Sequence, residues 1–325
     1  MLKSILAAAP LLLGLAFHAQ TAGAQAPYPS KVIRLVVPFT PGGSTDTLAR
    51  LLADQLREEL GQTVIVENKP GAGGNIGGEA VARAAPDGYT VLVAAAGPTV
   101  INPSLYPKMP YNPVRDLAPV TLIAREPNLI AVNAALPVHN VKEFIAYAKA
   151  RPGQLTFGSA GNGTPAQLAG ELLNQTAGLT LQHVPYKGTG PAVADLIAGH
   201  ITVVIDNMPP LLPHVQSGKL RALAVTGDKR ASATPDLPTA EEAGLKGYVI
   251  TAWKGLMVPA GTPRAVIDKL NAATVKIVAR PQMRKRLIDL GAEPVGSTPE
   301  QFAQQIRTDA SWWAALVKST NTRLD

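Results

Sequence analysis

The chain has 325 residues, of which 46% are hydrophobic and 16% charged, with a formal net charge of +7 at pH 7. This length predicts two domains of about 100 to 200 residues each, and the composition does not favour disorder beyond the N-terminus. The sequence contains no cysteine, which excludes disulfides, a thiol nucleophile and thiolate metal sites. Few aromatic residues and only one short basic cluster, Arg284–Arg286, argue against nucleic acid as a partner.

The N-terminal residues predict a signal peptide. Lys3 precedes an uncharged apolar stretch from Ile5 to Phe17, which is too short to span a bilayer, and Ala22-Gly23-Ala24 has the small-x-small pattern of a cleavage site. We expect residues 1–24 to be removed after Ala24 and the mature protein to be exported to the periplasm. Without a cysteine, no lipid anchor is expected.

Strand and helix patterns alternate along the rest of the chain, which is typical of an α/β fold with parallel strands and crossover helices. The predicted strands are Val32–Val37, Val64–Glu67, Thr90–Ala94, Val120–Ile123, Leu129–Val132, Leu155–Phe157, Leu181–Val184, Thr202–Ile205, Arg221–Val225 and Val249–Val258. Thr298-Pro299-Glu300-Gln301 predicts a capping box at the start of the last helix.

Two glycine-rich loops repeat one plan. Each follows a strand and opens a helix, the first at Pro38–Asp46 and the second at Gly158–Thr164. Backbone N–H groups at the start of a helix lie at the positive end of its dipole, so each loop is a candidate anion site. Two matched loops suggest one anion held between two lobes. The alternative is that the glycines only make tight turns.

The chain is predicted to cross between the lobes twice, near 124–128 and near 247–253. The expected division is a discontinuous first domain, 27–125 and 250–325, and a second domain, 126–249. Two such crossings can act as hinges that close the lobes around a ligand.

The sequence does not support known catalytic motifs. Gly71–Ile76 lacks the third glycine of a dinucleotide fingerprint, and Gly42–Asp46 has Asp46 where a nucleophile elbow needs glycine. The histidines lack metal-ligand spacing. We therefore expect no catalytic residues, no metal and no cofactor.

Several motifs resemble a known family. They occur in order along the mature chain, in Tyr28–Arg34, Pro38–Asp46, Val66–Gly74, Asp87–Thr90, Ile101–Tyr106, Val184–Gly188 and Pro259–Pro263. Together they are similar to the receptors of tripartite tricarboxylate transporters, also called the Bordetella uptake gene family. The resemblance implies a periplasmic, two-lobed Venus-flytrap fold of the type II-like class. It also implies a receptor that delivers small carboxylates to membrane permease subunits.

The resemblance further implies which residues line the cleft between the lobes. They are Phe39, Gly42, Gly43, Ser44 and Thr45 from the first loop, and Ser159, Ala160, Gly161, Gly163 and Thr164 from the second. Asp206 is a candidate ligand acceptor or else a cap for the helix near Pro209, and Tyr186 is a candidate cleft wall or else a core residue. Gln167 and Thr99 stand where relatives often carry histidine, so the ligand cannot be inherited from any relative.

Three functions remain at this point. The first is a monomeric solute receptor, the second is a ligand sensor that signals through a partner, and the third is an exported enzyme on the same scaffold. The sequence offers no evident base for an enzyme, so the receptor is preferred. Sequence does not separate the receptor from the sensor, because both would use the same closing cleft.

Overall fold

The computed structural model describes residues 27–162, 164–320 and 322, and within them the chain forms ten strands and ten α-helices. The predicted signal peptide and Gly163 lie outside the described residues. The strands are β1 Ile33–Val37, β2 Val64–Asn68, β3 Thr90–Ala95, β4 Leu117–Asn133, β5 Thr156–Ser159, β6 Gln182–Pro185, β7 Val203–Asn207, β8 Leu220–Val225, β9 Thr251–Pro259 and β10 Glu293–Pro294. The helices are α1 Ser44–Leu60, α2 Asn75–Ala82, α3 Asn102–Leu105, α4 Val141–Lys149, α5 Pro165–Ala177, α6 Thr189–Ala198, α7 Met208–Gln216, α8 Arg264–Ala279, α9 Pro281–Asp289 and α10 Pro299–Ser319.

The described strands form one mixed sheet in the order β2-β1-β3-β9-β4-β7-β5-β6, with β8 and β10 also paired to β4. The outer strands at each end, β1 with β2 and β3, and β5 with β6 and β7, are parallel. Strands β9 and β4 run antiparallel to their neighbours at the centre. Strand β1 is followed by α1, and β5 is followed by α5. The glycine-rich loops that join them therefore lie at the carboxyl ends of β1 and β5.

Strand β4 corrects one sequence prediction. The two short strands predicted around Arg125-Glu126-Pro127 are one strand of 17 residues. Along one edge β4 pairs first with β9 and then with β8, and along the other first with β10 and then with β7. Pro127 lies where these partners change, so its missing N–H does not interrupt a continuous ladder. We call this part of β4, where the partners change, the junction.

Apolar side chains of the strands pack against helices in three clusters. One cluster joins β1, β3 and β9 to α1, α8 and α9, and another joins the end of β4 and β7 to α6 and α7. The third continues through the junction, where Trp253 meets Phe302 of α10 edge-on with ring centroids 5.1 Å apart. Helix α10 begins with the predicted capping box of Thr298 and Gln301. The sheet therefore places β1 with the first loop on one side of the junction and β5 with the second loop on the other.

Candidate ligand-binding site

The first glycine-rich loop is held in place by a buried carboxylate. Asp46, in the first turn of α1, accepts a hydrogen bond from Gly42 N at 2.9 Å and a bidentate pair from Arg50. Asn68, at the end of β2, donates to both Asp46 and the Phe39 carbonyl. Burial acts to raise the pKa of Asp46, but these hydrogen bonds outweigh it and hold the pKa below its usual value. Asp46 therefore fixes the backbone of the loop, and Gly42 supplies the positive φ of 87° that the turn requires.

The predicted residues of the first loop occupy different environments. Phe39 is half-buried, and Thr45 is buried. Gly43 is the N-cap of α1, with its nearest neighbour, the Thr40 carbonyl oxygen, 3.9 Å from where a Cβ would lie. The Ser44 hydroxyl lies 3.5 Å from Glu126 Oε2 on β4. The loop thus leaves open space beside Gly43 and reaches the junction through Ser44.

The second loop is held by its own strand group. Ser159 is fully buried, and its Oγ lies 2.6 Å from His183 Nε2 and accepts a hydrogen bond from Gly161 N. Ala160 O accepts from Gly188 N at 3.0 Å, which ties the loop to the turn before α6. Thr164 caps α5 by accepting from Gln167 N and also donates to Gly161 O. Gly163 lies outside the described residues.

Tyr186 and Asp206 lie beside the second loop. The Tyr186 hydroxyl donates to Asp195 Oδ2 at 2.6 Å, so its polar end faces α6. Asp206, at the end of β7, accepts from Thr189 Oγ1 at 2.6 Å and from Asn207 N. The N-cap of α7 is Asn207 and it makes no side-chain cap bond, so Asp206 does not cap that helix. Burial raises the pKa of Asp206, Glu126 adds to the rise, and Thr189, Asn207 and Lys254 oppose it.

Two residues at the junction escaped the sequence analysis. Glu126 on β4 and Lys254 on β9 form an ion pair of 3.0 Å, and their side chains are only 2% and 5% exposed. We call Glu126, Lys254 and Asp206 the junction cluster, because the charges of the first two act on Asp206. The sequence did contain a signal for this pair, because Glu126 and Lys254 are charged residues within strands that are otherwise apolar. Charged residues are almost never buried unless they are paired.

The junction cluster connects the two loops. Ser44 contacts Glu126 from the first loop, and Thr189 contacts Asp206 from the turn that holds Ala160 of the second. A cavity of about 150 Å³ borders the first loop and the junction. Its walls are Gly42, Gly43, Ser44, Thr47, Leu48, Glu126, Pro209, Pro210, Leu287, Leu290 and Ala292. None of the predicted residues of the second loop lines this cavity.

We expect Asp206→Asn to stabilise the unliganded protein at neutral pH. The folded state raises the pKa of Asp206, so the parent loses stability as pH rises from the unfolded pKa through the folded one, when the buried group must ionise. Asparagine stays neutral, so the gain in melting temperature should be small at pH 4 and larger at pH 7. Melting curves across this range would test it, and a constant difference at every pH would contradict it.

The fold and this junction define a two-lobed α/β solute-binding protein of the periplasmic binding protein class. Residues 48–322 match the family model described as the tripartite tricarboxylate transporter family receptor, and the chain belongs to that family. This confirms the resemblance seen in the motifs. It also confirms the predicted role as a receptor rather than an enzyme, because the family is one of solute-binding receptors.

Relatives and solved structures are similar to this chain over nearly its whole length. The protein BugT of Bordetella pertussis is 38% identical over 320 residues, covering 97% of this chain and 98% of that one. A protein of R. palustris, solved with adipate, is 37% identical with a TM-score of 0.87, covering 91% of this chain and 100% of that one. MatC from Rhodopseudomonas palustris, with bound malate, is 36% identical with a TM-score of 0.80, covering 89% of this chain and 100% of that one. In the part of the chain that the structure describes, no helix combines the length and apolar character that crossing a membrane requires.

Proposed function

We propose that the mature chain works in the periplasm, binds a small carboxylate between the two glycine-rich loops and delivers it to membrane permease subunits. The observation that carries this proposal is the connection of both loops to one buried cluster at the junction. Ser44 connects the first loop to Glu126, and Thr189 connects the second loop's supporting turn to Asp206. A ligand between the loops would contact both lobes at once.

Helix geometry supplies donors for an anion at both loops. The first intrahelical bond of α1 runs from Thr47 N to Gly43 O at 2.9 Å, and that of α5 from Leu168 N to Thr164 O at 3.2 Å. In α1 the N–H groups of Ser44, Thr45 and Asp46 precede this bond and lie at the positive end of the helix. In α5, Pro165 has no N–H and Gln167 N donates to Thr164 Oγ1, so the Ala166 N–H is the proposed donor there. Carboxylate oxygens are suited to such donors, directly or through water.

The relatives support the ligand class. One similar structure was solved with adipate and another with malate, and both are small dicarboxylates. We further propose that residues of both glycine-rich loops contact the ligand and that membrane permease subunits receive it. We also propose that the signal peptide is cleaved after Ala24.

We also propose that the lobes close by bending at the two crossings, with domains at 27–125 plus 250–325 and at 126–249. Strand β4 provides one crossing at the junction. The other, near 247–253, contains Ile250, whose N–H donates to the Thr226 carbonyl, and Thr226 is in turn bonded to Asn128 of β4. These two segments lie side by side, so a small change in their backbone angles would rotate one lobe against the other.

A panel of mono-, di- and tricarboxylates should contain at least one acid that raises the melting temperature. At about 100 times its dissociation constant, a ligand adds roughly 2.7 kcal/mol to the free energy of unfolding. The same acid should reduce the radius of gyration in small-angle scattering and should be recovered chemically unchanged. A panel in which no acid stabilises the protein, or in which the acid is converted, would reject the proposal.

A further inference from the structure

The cavity beside the first loop has walls of two kinds. It has a volume of about 150 Å³, and its polar walls come from the start of α1 and from Glu126 on β4. The other walls are apolar residues of α1, of the start of α7, and of the end of α9 and the turn that follows it. They are Leu48, Pro209, Pro210, Leu287, Leu290 and Ala292. The cavity thus offers polar groups at the first loop and an apolar surface beyond it.

Both proposed lobes contribute to the apolar walls. Gly291, in the turn after α9, has a φ of 80°, and a Cβ there would lie 2.6 Å from Met208 Cγ at the start of α7. Close by, the Glu293 carboxylate accepts hydrogen bonds from Ser232 N at 2.6 Å and from Ser232 Oγ at 2.9 Å. These contacts hold the end of α9 against the start of α7. A group in the cavity would therefore touch both lobes.

The charges around the cavity restrict what can enter it. Among the described residues that form its walls, Glu126 is the only charged one. Its Oε2 is already paired, at 3.0 Å from Lys254 Nζ. An anionic group in the cavity would lose its water, would find no cation on the walls and would lie beside the Glu126 carboxylate. Burial of such an unpaired charge is strongly unfavourable, so the cavity is suited to an uncharged group.

The size of the cavity sets the size of that group. Apolar protein cavities of similar volume bind a benzene molecule, which has about six carbons. Gly43 and Ser44 belong both to the walls and to the loop proposed to hold a carboxylate, so one ligand can occupy both places. We propose that the receptor selects monocarboxylates whose remaining part is an apolar group seated in this cavity, over dicarboxylates of the same length.

This inference rests on the proposed function, and it names the part of the ligand that the two loops do not bind. Adipate and malate, found in the two similar structures, are both dicarboxylates. The inference therefore assigns this chain a preference that differs from the ligands of those proteins.

The first test is titration calorimetry of the full mature protein with acetate, butanoate and hexanoate, and with succinate and adipate as diacids of matched length. Hexanoate should bind about tenfold more tightly than acetate or better, because each buried methylene strengthens binding by up to about fourfold. It should also bind about tenfold more tightly than adipate or better, because adipate would bury a second carboxylate. A diacid that binds as tightly as the monoacid of its length would overturn the inference.

A matched pair of variants locates the apolar group. Leu290→Ala removes part of the apolar wall, so it should weaken hexanoate binding by about threefold to tenfold and change acetate binding by about twofold or less. Ile288→Ala is the control, because Ile288 is also half-buried but does not line the cavity. It should leave both affinities within about twofold of the parent. Equal effects of the two variants on hexanoate would place the apolar group elsewhere and reject the inference.

Glu126→Gln tests the role of charge. It leaves the Lys254 ammonium group without its carboxylate beside the cavity, so adipate should gain on hexanoate by about threefold or more. An unchanged ratio of the two affinities would reject selection by charge. Circular dichroism would check that this variant folds, and if it does not, the comparison of Leu290→Ala with Ile288→Ala decides the inference.

Failure of the proposed function would look different. If neither these acids nor the wider panel bind the parent, the carboxylate function falls and the inference falls with it. If carboxylates bind but longer monoacids gain nothing over acetate, the function stands and the role of the cavity is rejected.

Discussion

Replacement of Lys254 by methionine is expected to lower the free energy of unfolding by about 3–5 kcal/mol. Lys254 pairs with Glu126 at 3.0 Å, and both side chains are almost fully buried. Without the ammonium group, Glu126 would be left as an uncompensated charge on the central strand. Chemical denaturation of the unliganded protein would measure the loss, and the long contact from Ser44 would do little to offset it.

Two further variants make this result specific. The double variant Glu126→Gln/Lys254→Met should recover much of the lost stability, because it removes both charges together. Lys31→Met is the surface control, since Lys31 pairs with Asp87 at 3.0 Å but is 61% exposed. It should cost less than about 1 kcal/mol. Equal losses in Lys254→Met and Lys31→Met would show that the junction pair is not important for stability.

Gly43→Val is expected to weaken binding of the stabilising carboxylate by about tenfold to a hundredfold, equivalent to about 1.4–2.8 kcal/mol. A branched side chain at this N-cap would fill the open space beside the first loop, where the carboxylate oxygens are proposed to lie. The backbone tolerates the change, because Gly43 has φ −79° and no atom lies closer than 3.9 Å to its Cβ position. Calorimetric titration of the parent and the variant would measure the difference.

The control must account for the poorer helix cap. Valine at an N-cap costs on the order of 1 kcal/mol of stability, so the unliganded variant should melt slightly lower. Asn140→Val removes the cap of α4, where Asn140 accepts from Glu143 N at 2.9 Å, and it should lower stability without changing affinity. If Gly43→Val folds and binds like the parent, the first loop does not hold the ligand.

Gly161 is less suitable for the same test. It has a φ of 131°, and a Cβ there would lie 2.9 Å from the Tyr186 carbonyl oxygen. A side chain at Gly161 would therefore shift the second loop itself, and weaker binding would not distinguish a blocked ligand from a distorted backbone. The equivalence of the two glycine loops in the sequence thus does not extend to how they tolerate substitution.

Local sequence patterns were sufficient to predict most strands and the two glycine-rich loops. Periodic burial encodes strands and helices locally, which is why the predicted β1, β3 and β8 differ from the observed strands by no more than one residue at either end. The capping box of α10 and the glycine turns are likewise short-range features, readable from a few adjacent residues. The family motifs then predicted the fold and the receptor function, and the family match confirmed both.

The contacts at the junction, in contrast, depend on long-range strand pairing. Arg125-Glu126-Pro127 looked like a break, but it becomes one strand because β8, β9, β10 and β7 pair along its two edges. The pairing of Glu126 with Lys254, and the burial of Asn128 beside Asn207, join strands that lie far apart in the chain. Local periodicity reports that a position is buried, but a buried polar group's partner is set by strand order and register, which depend on long-range pairing.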